Sequence, residues 1–280
     1  MPKGVIVTGE WFRGISPSRE APPEIDTSVA HPARVYDYWL GGKDNFAADR
    51  EAGERVIAAQ PAILDGVRAN RAFLGRAVRH LAVEAHIEQF LDLGTGIPTA
   101  NNTHEVAQGV LPAARVVYVD NDPIVLAHAR ALLISTRGPT SYIDADVRDT
   151  SAILQAAQRT LDFSEPVAVM LLMIMHLIPD SDDPYWIVRR LLDAMPSGSY
   201  LVLSPPASDI DTAAAARAAQ RYNKLVTTPQ TRRSRAEVTK FFDGLDLLDP
   251  GVVQTDQWRP EPDADPGGKA PGYAGVGRKA

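Results

Sequence analysis

The sequence predicts an α/β protein with a mostly parallel sheet and helices on both faces, and three observations carry that expectation. From residue 87 onward, short β-rich runs at 90–93, 116–119, 140–143, 167–173 and 200–203 alternate with helical stretches. The first run, Gln89-Phe90-Leu91-Asp92-Leu93, passes straight into Gly94-Thr95-Gly96-Ile97-Pro98-Thr99. Glycines in such a turn take backbone conformations closed to residues with a Cβ and let a ligand approach the main chain. The next two runs close on acids, Asp120-Asn121-Asp122 and Asp144-Ala145-Asp146-Val147. In an open α/β sheet the ligand lies across the carboxyl ends of the strands near the topological switch point, so these residues are expected to line one pocket.

The elements follow in order. Residues 1–25, with Pro17, Pro22 and Pro23 among small and charged residues, lack a periodic apolar pattern and are expected to form a flexible arm. A short helix at 34–40 is stopped by Gly41-Gly42, and a second at 45–59 is closed by Pro61. Residues 63–85 continue as one or two amphipathic helices with Val67, Phe73, Leu74, Val78 and Leu81 among the apolar positions. Residues 26–86 therefore read as a helical cap, and 87–280 as the α/β domain. Within that domain, helices are expected at 101–108, 123–135, 150–160, 184–195, 210–224 and 235–242. Strands at 245–253 and 273–277 come last.

Composition narrows the class. A chain of 280 residues with 45% hydrophobic content holds a substantial core without covalent staples. With no cysteine, a disulfide framework, a Cys-based metal site and a Cys nucleophile are all excluded. The N-terminal apolar run is too short for a signal peptide and no stretch reaches membrane-spanning length, so a soluble cytoplasmic protein is expected. The net charge of −6 argues against nucleic acid as the partner.

The pocket's chemistry suits an adenosyl cofactor better than NAD. A carboxylate such as Asp120, about 25 residues past the glycines, can hold ribose hydroxyls in either. The dinucleotide fingerprint, however, wants a third small residue where this chain has Thr99 behind Pro98. Asp92, just before the turn, repels a pyrophosphate and attracts the ammonium group of a methionine moiety. Asp146 can accept from an adenine amino group.

This ordered set resembles the class I S-adenosylmethionine-dependent methyltransferases. The resemblance implies a Rossmann-like, seven-stranded sheet of order 3-2-1-4-5-7-6 with strand 7 antiparallel. It also implies cofactor contact by Asp92, Gly94, Thr95, Gly96, Asp120, Asn121, Asp146 and Val147. Two further segments, Ala33-Arg34-Val35-Tyr36-Asp37-Tyr38-Trp39-Leu40-Gly41-Gly42-Lys43-Asp44-Asn45-Phe46 and Tyr273-Ala274-Gly275-Val276-Gly277-Arg278-Lys279, are similar to those of a largely uncharacterised family of bacterial S-adenosyl methyltransferases. The function so implied is methyl transfer to a small organic acceptor, at oxygen. The competing reading is a cofactor-binding regulator without transferase activity, and a dehydrogenase ranks third.

Candidate chemistry beyond the cofactor centres on His176. It closes the fourth strand where many small-molecule O-methyltransferases carry a catalytic histidine, and a neutral imidazole is a sensible base for a hydroxyl; the alternative is a structural histidine. The Asn/Asp-Pro-Pro-aromatic motif of exocyclic-amine methyltransferases is absent after that strand, where the chain has His176-Leu177-Ile178-Pro179, and Ser204-Pro205-Pro206-Ala207 follows the next strand instead. Asp180, Asp182 and Asp183 are explained by a solvated helix N-terminus more simply than by a metal. The double-glycine turn at Gly41-Gly42 is expected to present Lys43 and Asn45, with Arg34 and Tyr38 nearby, to cofactor or substrate as part of a lid. Arg232-Arg233-Ser234-Arg235 is dense enough to touch an acidic substrate, but Ser234-Arg235-Ala236-Glu237 matches a capping box that places those arginines on a solvated edge.

Overall fold

In a computed structural model, which describes residues 26–132, 135, 137–262 and 270–280, the five apolar runs form parallel strands. These are β1 (Gln89–Leu93), β2 (Arg115–Asp120), β3 (Thr140–Asp144), β4 (Ala168–Leu172) and β5 (Tyr200–Ser204). The arm expected at 1–25 lies outside the described residues. The single strand expected over 245–253 is two, β6 (Leu245–Leu247) and β7 (Val253–Gln254), because the chain turns between them at Gly251, where φ is +84°. With β8 (Tyr273–Lys279), the main path of the sheet runs β3-β2-β1-β4-β5-β8-β6, and β7 pairs with β8 beside it. β8 runs antiparallel to both β5 and β6. The implied order is therefore observed, with one extra short strand.

Both faces of the sheet are buried because apolar side chains alternate between them. Leu91, Val117, Val169 and Leu201 point to one face, where they pack with Ile153 of α6 (Thr150–Ala157) and Ile187 and Leu191 of α7 (Pro184–Asp193). Phe90, Val116, Met170 and Val202 point to the other, against Phe73, Ala77, Val78 and Leu81 of α3 (Ile63–Val83). Full burial of each such side chain contributes about 1.5–3 kcal/mol. α3 is one helix that serves mainly this sheet core. A separate apolar cluster joins α1 (Pro32–Trp39) and α2 (Ala47–Ile57) to α8 (Thr212–Asn223) through Val35, Ala52, Val56, Ile63, Ala218 and Tyr222. The layer over the carboxyl end of the sheet thus takes a helix from beyond residue 200, and α3 contributes only its first turn. The remaining helices α5 (Pro123–Leu132) and α9 (Arg235–Thr239) fall within the ranges expected of them, and α4 (Thr103–Val110) is displaced two residues toward the C-terminus from the expected 101–108. The chain leaves β1 toward β2 on one side and enters β4 on the other, which opens a crevice at the ends of these strands.

Candidate functional site

At that switch point the chain turns twice with left-handed backbone, φ being +71° at Gly94 and +67° at Gly96. The turn leans on the end of β2, where the Gly94 amide donates to the Val119 carbonyl at 2.8 Å. A Cβ at Gly94 would lie 2.8 Å from Ile174 Cδ1, so packing demands glycine there. At Gly96 a Cβ would meet nothing within 4 Å, and the residue lines the cavity. The Gly96 amide donates to Asp120 Oδ2 at 2.8 Å and the Asp122 amide to Oδ1 at 3.0 Å, which fixes that carboxylate at the cavity wall.

Asp92 sits deeper, 5% exposed, and accepts from the Thr103 hydroxyl at 2.6 Å. Burial pushes its carboxyl up to about 6, against opposing help from Thr103 and the Arg71 charge. Asp146 is held differently: Arg148 Nε and Nη2 donate to its two oxygens at 2.9 and 2.6 Å, Asn121 Nδ2 adds a long contact at 3.4 Å, and the Arg148 hydrogen bonds hold its carboxyl below the usual range. Asp92, Gly94, Thr95, Gly96, Asp120, Asn121, Asp146 and Val147 all line one cavity. Sequence reasoning missed Arg71 and Tyr36 on the same wall. Arg71 projects from α3 and donates to the carbonyls of Ala100 and Asn101 at 2.9 and 3.1 Å. Nothing in the pattern of α3, read for its apolar face, distinguishes this arginine from a solvated one.

The cavity continues under α1 and α8. His176 lines it and is 9% exposed, with Nδ1 lacking a hydrogen-bond partner. Burial, together with the charges of Arg232 and Arg233, pushes its imidazole down to about 3, so the ring is neutral across the physiological range. Trp39, Ile63 and Tyr222 supply apolar wall here.

The basic cluster corrects an expectation. Ser234 does cap α9, its hydroxyl accepting from the Glu237 amide, but the arginines before it are not on a solvated edge. Arg233 is 2% exposed and donates to the Met175 and Ile178 carbonyls at 2.7 and 2.9 Å and to Asp180 at 2.7 Å, while Arg232 lines the cavity. A capping box constrains the residues after the cap, not those before it. The acids at 180–183 each have an occupation: Asp180 pairs with Arg233, Asp182 with Arg148, and Asp183 caps α7.

The lid expectation is also corrected, because Arg34, Tyr38, Lys43 and Asn45 lie outside the cavity. Arg34 is buried against Asp49 at 3.1 Å and donates to the Asp26 and Val29 carbonyls. Asn45 donates to Asp37 at 2.8 Å and to the Gly42 carbonyl at 3.0 Å. Tyr38 hydrogen-bonds Glu54, and Lys43 is exposed. This segment builds the corner between α1 and α2. Asp37 satisfies the Asp44 amide and Asn45, and a Cβ at Gly42 would fall 1.9 Å from Asp37 Oδ1.

A model of the S-adenosyl methyltransferase family matches residues 18–280. The chain belongs to that family. It is 46% identical to a protein of the DUF574 family from Streptomyces avermitilis, whose crystal structure superposes with a TM-score of 0.88 over 92% of this chain and 100% of that one. A putative methyltransferase from Thermobifida fusca is 42% identical, with a TM-score of 0.85 over 94% of this chain and 99% of the other. An S-adenosylmethionine-dependent methyltransferase from Anabaena variabilis, 13% identical with a TM-score of 0.52 over 91% of this chain and 98% of that one, shares the fold. No curated protein matches the chain. The protein is thus an S-adenosylmethionine-dependent methyltransferase of Rossmann-like fold. The cavity fits the cofactor: Gly96 leaves open space where a side chain would intrude, and buried Asp92 carries a raised pKa that a cationic group would relieve. No helix among the described residues is long and apolar enough to cross a membrane.

Proposed function

We propose that this methyltransferase acts in the cytoplasm on an oxygen of a small organic acceptor bound between the glycine turn and α8. The observation that carries the reading is one cavity, continuous from Asp92 and Asp120 at the strand ends to His176, Trp39 and Tyr222 under the helical layer. S-adenosylmethionine supplies an electrophilic methyl group carried on a sulfonium. Asp92 would hold the ammonium of the methionine portion and Arg71 its carboxylate. Asp120 would take the ribose hydroxyls, while Asn121, Asp146 and Val147 border the adenine. Gly94, Thr95 and Gly96 give the cofactor access to the main chain.

At the acceptor end, His176 offers a neutral ring whose Nδ1 is buried without a partner, so Nε2 is the nitrogen that would face the acceptor. With the proton on Nδ1, Nε2 would accept a hydrogen bond from an acceptor hydroxyl and orient the oxygen, which is where much of the rate of an in-line transfer originates. A ring pushed down to about 3 retains a proton poorly, so His176 positions the hydroxyl rather than storing its proton. Oxygen is favoured over an exocyclic amine because the segment after β4 lacks the amide and aromatic groups that amine chemistry uses.

The test is transfer from methyl-labelled cofactor into the small-molecule fraction of a bacterial extract, with the product identified by mass and NMR. An O-methylated metabolite is expected. Label on nitrogen or on macromolecules would contradict the proposal, and cofactor binding without any transfer would favour the regulator.

A further inference from the structure

Resting on that reading of the cavity, we infer that the acceptor is a monoanionic carboxylic acid whose carboxylate is held by the Arg232 guanidinium, with its apolar body against Trp39, Ile63 and Tyr222. The cavity is electrically two-ended. Its cofactor half carries three acids, Asp92, Asp120 and Asp146, against Arg71 and Arg148, the latter paired with Asp146, whereas the half under α8 carries Arg232 with no acid in its lining.

Arg232 is held only by neutral groups: Nε donates to Gln230 Oε1 at 3.1 Å and Nη1 to Gln60 Oε1 at 2.7 Å. Among the described residues it has no ion pair, and its Nη2 has no hydrogen-bond partner. Both glutamines are buried, Gln60 at 3% and Gln230 at 8% exposure. A partly buried cation without a counter-ion costs free energy, and burial accordingly pushes the guanidinium down to about 10. Nearby groups do not neutralise it. His176 is uncharged, and Arg233 is already matched by Asp180.

The arrangement is also rigid. Asn223 brackets Gln230 with two hydrogen bonds, at 3.0 Å to its carbonyl and 2.8 Å from its amide, and the Thr231 amide donates to the His176 carbonyl at 2.7 Å. Arg233 anchors the next residue to the segment after β4. A guanidinium presented in this way suits a planar carboxylate. One uncompensated positive charge matches one negative charge, and a phosphate dianion would leave an excess.

The test uses full-length protein saturated with S-adenosylhomocysteine and calorimetric titration of 4-hydroxybenzoate and 3-(4-hydroxyphenyl)propanoate against their primary amides. The acids are expected to bind about ten-fold or more tighter than the amides, as hydrogen bonds to a charged group imply. Arg232→Gln should erase that preference while S-adenosylhomocysteine affinity stays within about two-fold. If this variant does not fold, Arg232→Lys should weaken the acids selectively, because it keeps the charge but loses the planar fork. Equal binding of acid and amide, preference surviving in Arg232→Gln, no selective loss in Arg232→Lys, or tighter binding of phenyl phosphate would overturn the inference. So would no binding of either series to protein that holds S-adenosylhomocysteine normally. Failure of S-adenosylhomocysteine itself to bind would instead overturn the cofactor placement on which the inference rests.

Discussion

Asp92→Asn should make the cofactor-free protein more stable and its cofactor binding worse. Asp92 is 5% exposed, and burial raises its carboxyl from the ordinary 3.8 to about 6. The folded state therefore binds this proton more tightly than the unfolded chain does. Stability falls as pH rises from below 4 through 6, and the loss is complete above that range. A rise of this size corresponds to about 3 kcal/mol. An asparagine carries no charge to desolvate and can still accept from the Thr103 hydroxyl, so a net gain of about 1–3 kcal/mol is expected at pH 8. For a chain of this size that raises the melting temperature by roughly 2–5 °C. About half of the gain should remain at pH 5, about a fifth at pH 4 and almost none at pH 3. Calorimetry at pH 8 should show S-adenosylmethionine binding weakened by about 1.5–3 kcal/mol, the value of hydrogen bonds to a charged group. A variant less stable than the parent at pH 8, or a gain equal at pH 8 and pH 4, would refute the reasoning.

Three other substitutions extend the test. Asp120→Ala should weaken S-adenosylmethionine by about 1.5–3 kcal/mol in a protein that stays folded; unchanged affinity by calorimetry would remove the ribose contact. Gly96→Ala forces a side chain into left-handed backbone at a cost of about 1–2 kcal/mol and sends a methyl group into the cavity. A modest drop in melting temperature should accompany a large loss of cofactor affinity, and intact affinity would place the cofactor elsewhere. His176 has the opposite linkage to Asp92: its folded pKa, about 3, lies below the ordinary 6.5, so the unfolded chain takes up the proton first and stability is lost as pH falls below 6.5. The parent should lose about 3 kcal/mol from this group by pH 4.5, and His176→Gln should not. The rate of His176→Gln should fall at all pH values, with no limb near pH 6.5 to remove. An acidic limb near 6.5 that vanishes in the variant would restore a general-base role.

The sheet was legible because near-continuous apolar runs of strand length and strand-end acids are local signals. Phe90 and Leu91 must face opposite sides wherever the strand sits, and Gly94 and Gly96 must turn. What was not legible depended on partners distant in the chain. Arg34, Asn45 and the double glycine formed a pattern dense enough to suggest a site, yet Asp37 and Asp49 consume it to hold one helix against the next. Arg232 reads as solvated from its neighbours in sequence, which carry no sign that α8 and the segment after β4 lie beside it. Arg71 and Tyr36 reach the cavity from α3 and α1, helices remote in the chain from most of the strand-end acids they meet there. The strand expected at 245–253 broke because Gly251, following Asp249 and Pro250, turns the chain between two short apolar runs.

A crystal structure of the full chain with S-adenosylhomocysteine tests the placement of the cofactor most directly. The account predicts the ribose on Asp120, the amino-acid portion between Asp92 and Arg71, and the sulfur directed toward His176 and Arg232. A nucleoside bound under α8, or a sulfur turned away from His176, would contradict it.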